Sequence, residues 1–142
     1  MAKSGLVSAK SASVRAAAAP GSRKPTTNSV KFKRVLLKVS GEGFANRGSN
    51  GIDSEAILNL ANMVKLTHAL GIQLAVVVGG GNFVRGAQLN VPHIARATAD
   101  YMGMLATIMN AVALQDTCES IGLATRVQSS IEVDRVCEQW IR

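Results

Sequence analysis

The sequence predicts an α/β fold with parallel strands, and three observations predict it. Two short apolar runs, Val35–Gly43 (VLLKVSGEG) and Val76–Gly86 (VVVGGGNFVRG), each stop abruptly at glycines. Apolar residues at helical spacing lie between these runs and again after them. The resulting order of strand, helix, strand, helix, strand, helix calls for parallel strands joined by right-handed crossovers.

The elements follow in order. Val35 to Val39 reads as the first strand. Gly41, Gly43, Gly48 and Gly51, with Asn46, Ser49 and Asn50, form a flexible loop. Asp53 has the character of an N-cap, with Glu55 favourably placed in the first helical turn. Ile57, Leu60, Ala61 and Val64 make one apolar stripe, with Asn59, Asn62 and Lys65 off it. Gly71 is a natural helix stop. Ile72 to Val78 is the second strand, apolar almost throughout, as expected for a strand covered on both faces. After the glycine loop Gly79–Gly81 comes an irregular polar stretch from Gln88 past Pro92. Ala99 to about Ile121 is a long helix closed by Gly122, and Leu123 to Gln128 is a third strand. A last helix starts near Ile131. The long helix is apolar nearly all round, through Met102, Met104, Leu105, Ile108, Met109, Val112, Ala113 and Leu114. It therefore needs burial on more than one side, by a subunit interface or by the rest of its own domain.

Composition bounds the function. The chain has 142 residues, enough for one domain of moderate core, and at 47% hydrophobic it is not disordered as a whole. The formal charge of +7 suggests nucleic acid or an anionic surface, but its distribution removes that reading. Nine Lys and Arg precede the first acid, Glu42; from there on, 7 basic residues face 9 acidic ones, a net of −2. The globular part shows no basic face. Residues 1–30 are rich in Ala and Ser, carry Lys3, Lys10, Arg15, Arg23 and Lys24, and lack both acids and a continuous apolar segment. That excludes a secretory signal and fits an organelle transit peptide. Chloroplast is favoured over mitochondrion because Ser and Ala outweigh Arg; a retained basic tail on a cytoplasmic protein is the alternative. Cys118 and Cys137 match no zinc spacing and read as reduced, buried thiols. No apolar stretch reaches the roughly 18 residues needed to span a bilayer.

The chemistry concentrates at the two glycine-ended strands. A parallel sheet offers backbone N–H groups and positive charge to phosphates at the carboxyl ends of its strands. Lys38 sits inside an apolar strand, where an ammonium needs an anion or an exit to water. Ser40-Gly41 lets a phosphate approach the backbone. Three consecutive glycines, Gly79, Gly80 and Gly81, lose much conformational freedom on folding. Close approach of a ligand explains them better than a tight turn, which remains the alternative. The loop is neither a Walker A motif nor a dinucleotide fingerprint. Arg85, within a turn or so of a following helix, forks onto phosphate oxygens or is a surface residue. Asp100 reads as the N-cap of the long helix, and its spacing alone gives little support to binding of ribose hydroxyls. His68 and His93 have no metal-ligand partners and are solvated or structural.

These residues resemble the N-terminal part of the uridylate (UMP) kinase family of the bacterial and plastid type, within the amino acid kinase superfamily. The resemblance runs from about Lys33 to Arg142. Lys33–Glu42 (KRVLLKVSGE), Gly51–Asp53 (GID), Val77–Asn82 (VVGGGN) with Arg85 and Gly86, and Thr98–Thr107 (TADYMGMLAT) carry it. Met109–Ala111, Leu114–Asp116 and Arg126–Ser129 extend it. Phe83-Val84 and the stretch from Gln88 to Ala95 depart from the family pattern. The resemblance implies a three-layer αβα domain over 31–142 with a mainly parallel sheet, truncated at its C-terminal side. It implies transfer of a phosphoryl group from ATP to UMP with Mg²⁺, giving ADP and UDP. Lys38, Val39, Ser40, Gly41, Gly81 and Arg85 would hold the ATP phosphates, Lys38 neutralising the group in flight. Gly80 and Asp100 would hold UMP, and a homo-oligomer built from dimers is expected. The family's later Gly-Thr-Gly-Asn segment and its adenine-binding region have no counterpart here, so the chain is expected to be inactive alone. The alternative is a non-catalytic paralogue that binds nucleotide or RNA and assembles with a full-length kinase.

Overall fold

The computed structural model describes residues 30–46, 48–84 and 93–141. The leader, Val30 excepted, and the segment 85–92 with Arg85 lie outside the described residues. Two parallel strands, β1 (Arg34–Val39) and β2 (Gln73–Val78), pair in register from Arg34 opposite Gln73 to Val39 opposite Val78. Helix α1 (Ser54–His68) makes the crossover between them, and helix α2 (Arg96–Ser120) follows β2. Two short parallel strands, β3 (Gln128–Ser129) and β4 (Glu138–Gln139), form a separate pair.

Local signals set the helix ends. Asp53 Oδ1 accepts from the backbone N–H groups of Glu55 (3.1 Å) and Ala56 (2.9 Å), satisfying two donors that the first turn leaves orphaned. Gly71 and Gly122 have φ of 78° and 79°, which ends α1 and α2 where a side chain would be strained. Lys65 Nζ donates to the Ile121 carbonyl, tying α1 to the end of α2. The stripe Ile57, Leu60, Ala61 and Val64 is buried as its spacing requires. It packs with Phe44, Leu114 and Cys118 into one core, against which Val39, Leu74, Val76 and Val78 of the sheet are laid. Burial pushes the Cys118 thiol pKa above its ordinary value.

The structure corrects the sequence at five places. The loop after β1 is not merely flexible, since Gly41–Phe44 is a 3-10 turn that delivers a fully buried Phe44 to the core. The second strand is covered on its inner face alone among the described residues. Gln73, Ala75 and Val77 are exposed, and so are Leu36 and Lys38 beside them. The extended segment from Leu123 pairs as a strand only at its end, because Val127 N–H donates to Gln115 Oε1 on α2 (2.9 Å) instead of to a neighbouring strand. No helix starts near Ile131: Ile131 N–H donates to Ser129 Oγ, and Glu138 and Trp140 donate to the carbonyls of Val127 and Ser129. Glu138 and Trp140 spend their donors on the β3–β4 pair, so the single turn that Val136 and Cys137 close on the Val133 carbonyl does not continue into a helix. Finally, α2 begins at Arg96 with Ala95 as N-cap, so Asp100 lies in its second turn and is not the cap. One flank of α2, with Tyr101, Leu105 and Met109 at helical spacing, stays exposed among the described residues.

Candidate functional site

The carboxyl ends of β1 and β2 meet. Gly79 N–H donates to the Val39 carbonyl at 2.9 Å, extending the parallel ladder one residue past β2. Immediately beyond, the chain after β1 runs against the glycine loop. A Cβ placed on Gly41 would lie 2.3 Å from the Gly81 nitrogen and 2.8 Å from the Gly80 carbonyl carbon. A Cβ on Gly79 would lie 2.9 Å from the Gly41 nitrogen. Only glycines allow the two backbones to approach so closely.

The three glycines of the loop have different reasons to be there. Gly80 is buried against α2, where a Cβ would meet the Ala106 Cβ and the Gly103 carbonyl oxygen at 2.8 Å and the Thr107 nitrogen at 2.9 Å. Gly79 and Gly80 are therefore required by packing within the chain. Gly81 has open space where a Cβ would be, among the described residues, so packing between them does not explain its lack of a side chain.

The loop carries a run of backbone donors without acceptors among the described residues. The N–H groups of Gly80, Gly81 and Asn82 donate to no acceptor among the described residues, while the Gly80 carbonyl accepts from Phe83 (3.1 Å) and Val84 (3.2 Å). Successive unpaired amides bind an anion where they converge. Ser40 and Lys38 are exposed beside it in sequence, Lys38 one residue before the end of β1 on the outward face of the sheet. Lys38 is thus not buried within the strand; its ammonium reaches water. Val39 is half-buried and Gly41 buried.

Asp100 stands one helical turn before Gly103, the point where α2 backs onto Gly80. Its carboxylate takes Arg96 Nε on both oxygens, at 2.9 and 3.2 Å, in an exposed ion pair. The structure therefore assembles Val39, Ser40, Gly41, Gly80 and Gly81, with Lys38 and Asp100 flanking them. Arg85 lies outside the described residues. His68 and His93 are both exposed. The described residues contain no group of three His, Cys, Asp or Glu able to hold a metal ion.

Two site residues escape the sequence pattern. Asn82 is 3% exposed and Asn110 is fully buried, and their amides exchange hydrogen bonds at 3.0 and 2.6 Å. Asn110 Nδ2 also donates to the Gly79 carbonyl (2.8 Å), and Asn82 Nδ2 to the Gly51 carbonyl (2.7 Å). In the sequence, Asn110 is legible as a polar residue in an apolar helix and as part of the Met109–Ala111 segment of the resemblance, with no role attached to it. A lone asparagine in that setting was the available signal, because a buried amide must find partners. A groove of about 490 Å³ runs along β2, lined by apolar residues such as Leu74, Val76, Leu114 and Val127; none of the strand-end residues above lines it.

Gly41→Ala is expected to lower stability by about 1–3 kcal/mol or more, since backbone must move to admit the methyl group. Gly81→Ala should leave the melting temperature close to the parent value. Thermal unfolding of both variants checks this, and equal losses would show that packing governs both positions.

The amino acid kinase family model matches residues 33–140. Uridylate kinases of three strains of Cereibacter sphaeroides are 46% identical over 118 residues, covering 83% of this chain and 48% of theirs. The crystal structure of UMP kinase from Bacillus anthracis superposes with a TM-score of 0.70 at 36% identity, over 78% of this chain and 46% of that one. That of UMP kinase from Ureaplasma parvum gives 0.71 at 30% identity, over 79% and 47%. The chain spans about half the length of the curated relatives it matches. With most of its length inside one family model and its parallel strand ends built as described, this protein belongs to the amino acid kinase family.

Proposed function

We propose that the chain provides the phosphate-binding part of a UMP kinase, which transfers the γ-phosphoryl group of ATP to UMP and gives ADP and UDP. The observation that carries this is the row of unpartnered amides at Gly80, Gly81 and Asn82, pressed against Ser40-Gly41 at the ends of two parallel strands. The similar proteins are named uridylate or UMP kinases, which supports the choice of acceptor.

Phosphoryl transfer needs positioning and charge neutralisation more than covalent chemistry. In this proposal Lys38, the backbone of Val39, Ser40 and Gly41, the Gly81 amide and Arg85 hold the ATP phosphates. Lys38 offsets the charge on the group in flight. The Gly80 amide and Asp100 hold UMP, the carboxylate accepting from ribose hydroxyls while Arg96 keeps it oriented. Magnesium would accompany ATP, whose phosphate oxygens suit it. The purified chain, which spans about half the length of its relatives, is expected to bind ATP without forming UDP at a useful rate. Lys38→Ala should weaken ATP binding about tenfold or more, as for loss of one hydrogen bond to a charged group. Robust UDP formation by the chain alone, abolished by Lys38→Ala, would refute its inactivity, and ATP binding unchanged in the variant would refute the role of Lys38.

The exposed flank of α2 supports a homo-oligomer: Tyr101, Leu105 and Met109 are 63%, 47% and 52% exposed on successive turns. Leu105→Arg should convert the assembled species to a smaller one in sedimentation velocity, without loss of helix content. Residues 1–30 are proposed as a transit peptide to the plastid stroma. The mass of the mature protein should then lack most of the leader, and an intact leader in that mass would refute the assignment.

A further inference from the structure

Asn110 holds more than a helix contact. Its Nδ2 donates to the Gly79 carbonyl at 2.8 Å from a fully buried position on α2. The peptide bond that follows is planar and trans, as are all others described. In such a plane the C=O and the N–H point in opposite directions. Fixing the Gly79 carbonyl toward Asn110 therefore fixes the Gly80 N–H away from it. The next plane is pinned in the same manner, because the Gly80 carbonyl accepts from Phe83 and Val84 at 3.1 and 3.2 Å. The Gly79 carbonyl is thus turned to α2 and the Gly80 carbonyl to its own turn, which leaves the amides of Gly80 and Gly81 without acceptors among the described residues.

Glycine makes this orientation reversible in principle. A peptide between two glycines can flip with little steric resistance, and a flipped plane would present a carbonyl oxygen to an anion where a donor is needed. Nothing else among the described residues donates to the Gly79 carbonyl. The orientation of Asn110 is itself determined. Its Oδ1 accepts from Asn82 Nδ2 at 3.0 Å, and its Nδ2 reaches both Gly79 and Asn82 Oδ1. Asn82 is held in turn by the Gly51 carbonyl at 2.7 Å. Reversing either amide would set nitrogen against nitrogen or oxygen against oxygen.

We propose that Asn110 is a positioning residue for phosphoryl transfer, locking the Gly79–Gly80 peptide so that the Gly80 amide faces the UMP phosphate. This rests on the UMP-binding reading of Gly80 given above and adds the residue that makes that amide available. Asn110 touches no substrate; it acts through the peptide plane.

The test uses the isotope-labelled 142-residue chain and its Asn110→Asp variant, followed by nuclear magnetic resonance at the Gly80 amide. An ionised carboxylate at 110 repels the Gly79 carbonyl and accepts from a flipped Gly80 N–H. Without ligand, the variant's Gly80 amide should therefore move downfield and gain protection from solvent exchange. UMP affinity should fall about tenfold or more near neutral pH, the loss of one hydrogen bond to a charged group. It should recover in part on acidification, when the protonated carboxyl can again donate to Gly79. A purely structural role for Asn110 would lower stability without turning the amide or producing this pH dependence. An unchanged Gly80 amide, or a UMP affinity equal to the parent's, overturns the proposal. If the parent itself shows no response to UMP, the UMP reading fails, while the ligand-free comparison still decides whether Asn110 locks the peptide. If the aspartate variant does not fold, Asn110→Ala removes the donor without adding charge. Its Gly80 amide should then broaden or split as the peptide interconverts, and a single unchanged resonance overturns the proposal.

Discussion

The pair of buried amides at Asn82 and Asn110 is the interaction on which the rest of this structure converges. It joins the glycine loop, the loop through Gly51 and the middle of α2 at one point. Leaving a buried amide unsatisfied costs about 1–3 kcal/mol, so a polar group at the centre of an apolar helix is tolerated only with every partner in place. That condition is met: among the described residues no buried side-chain polar atom lacks a partner. Because each asparagine uses both donor and acceptor, the arrangement has one orientation. The glycine loop inherits that single orientation.

Glycine and asparagine act together here. The glycines let β1's continuation, the 79–81 loop and α2 come within backbone contact, which side chains would prevent. The asparagines then remove the conformational freedom that the glycines introduce. A site made of backbone N–H groups needs both, since amides are useful to an anion only when they are close and aimed. Lys38 and Asp100, by contrast, are exposed and stand at the margins, where long or charged side chains adjust to a ligand.

The packing of the two strands explains what is open. A parallel sheet is ordinarily covered on both faces. Here α1 and α2 cover the inner face through the core around Phe44, Leu60 and Leu114. The outer face, with Leu36 at 70% and Val77 at 50% exposure, has no cover among the described residues. The chain spans about half the length of the curated relatives it matches, and the matched region accounts for under half of each solved structure.

The sequence by itself determined the parallel α/β arrangement, the N-cap at Asp53, the buried stripe of α1, the helix stops at Gly71 and Gly122, and the two glycine-ended strands. Each of these depends on residues near one another in the chain, through periodicity, capping or a positive φ. It could not place the end of the third strand or exclude a helix after Ile131. Those outcomes turn on whether backbone donors find Gln115, Ser129 or a distant carbonyl. Nor could it separate the reasons for Gly79, Gly80 and Gly81, which differ only in what lies opposite each Cα. Asn110 was the clearest case. Its residue type was legible, but its role required Gly79, 31 residues away, to be brought against α2. Local sequence determined the helix caps, stops and buried stripe because their forces are local, and the tertiary structure alone decided how the amides of the glycine loop are aimed, because that aim depends on hydrogen bonds between segments remote in the chain.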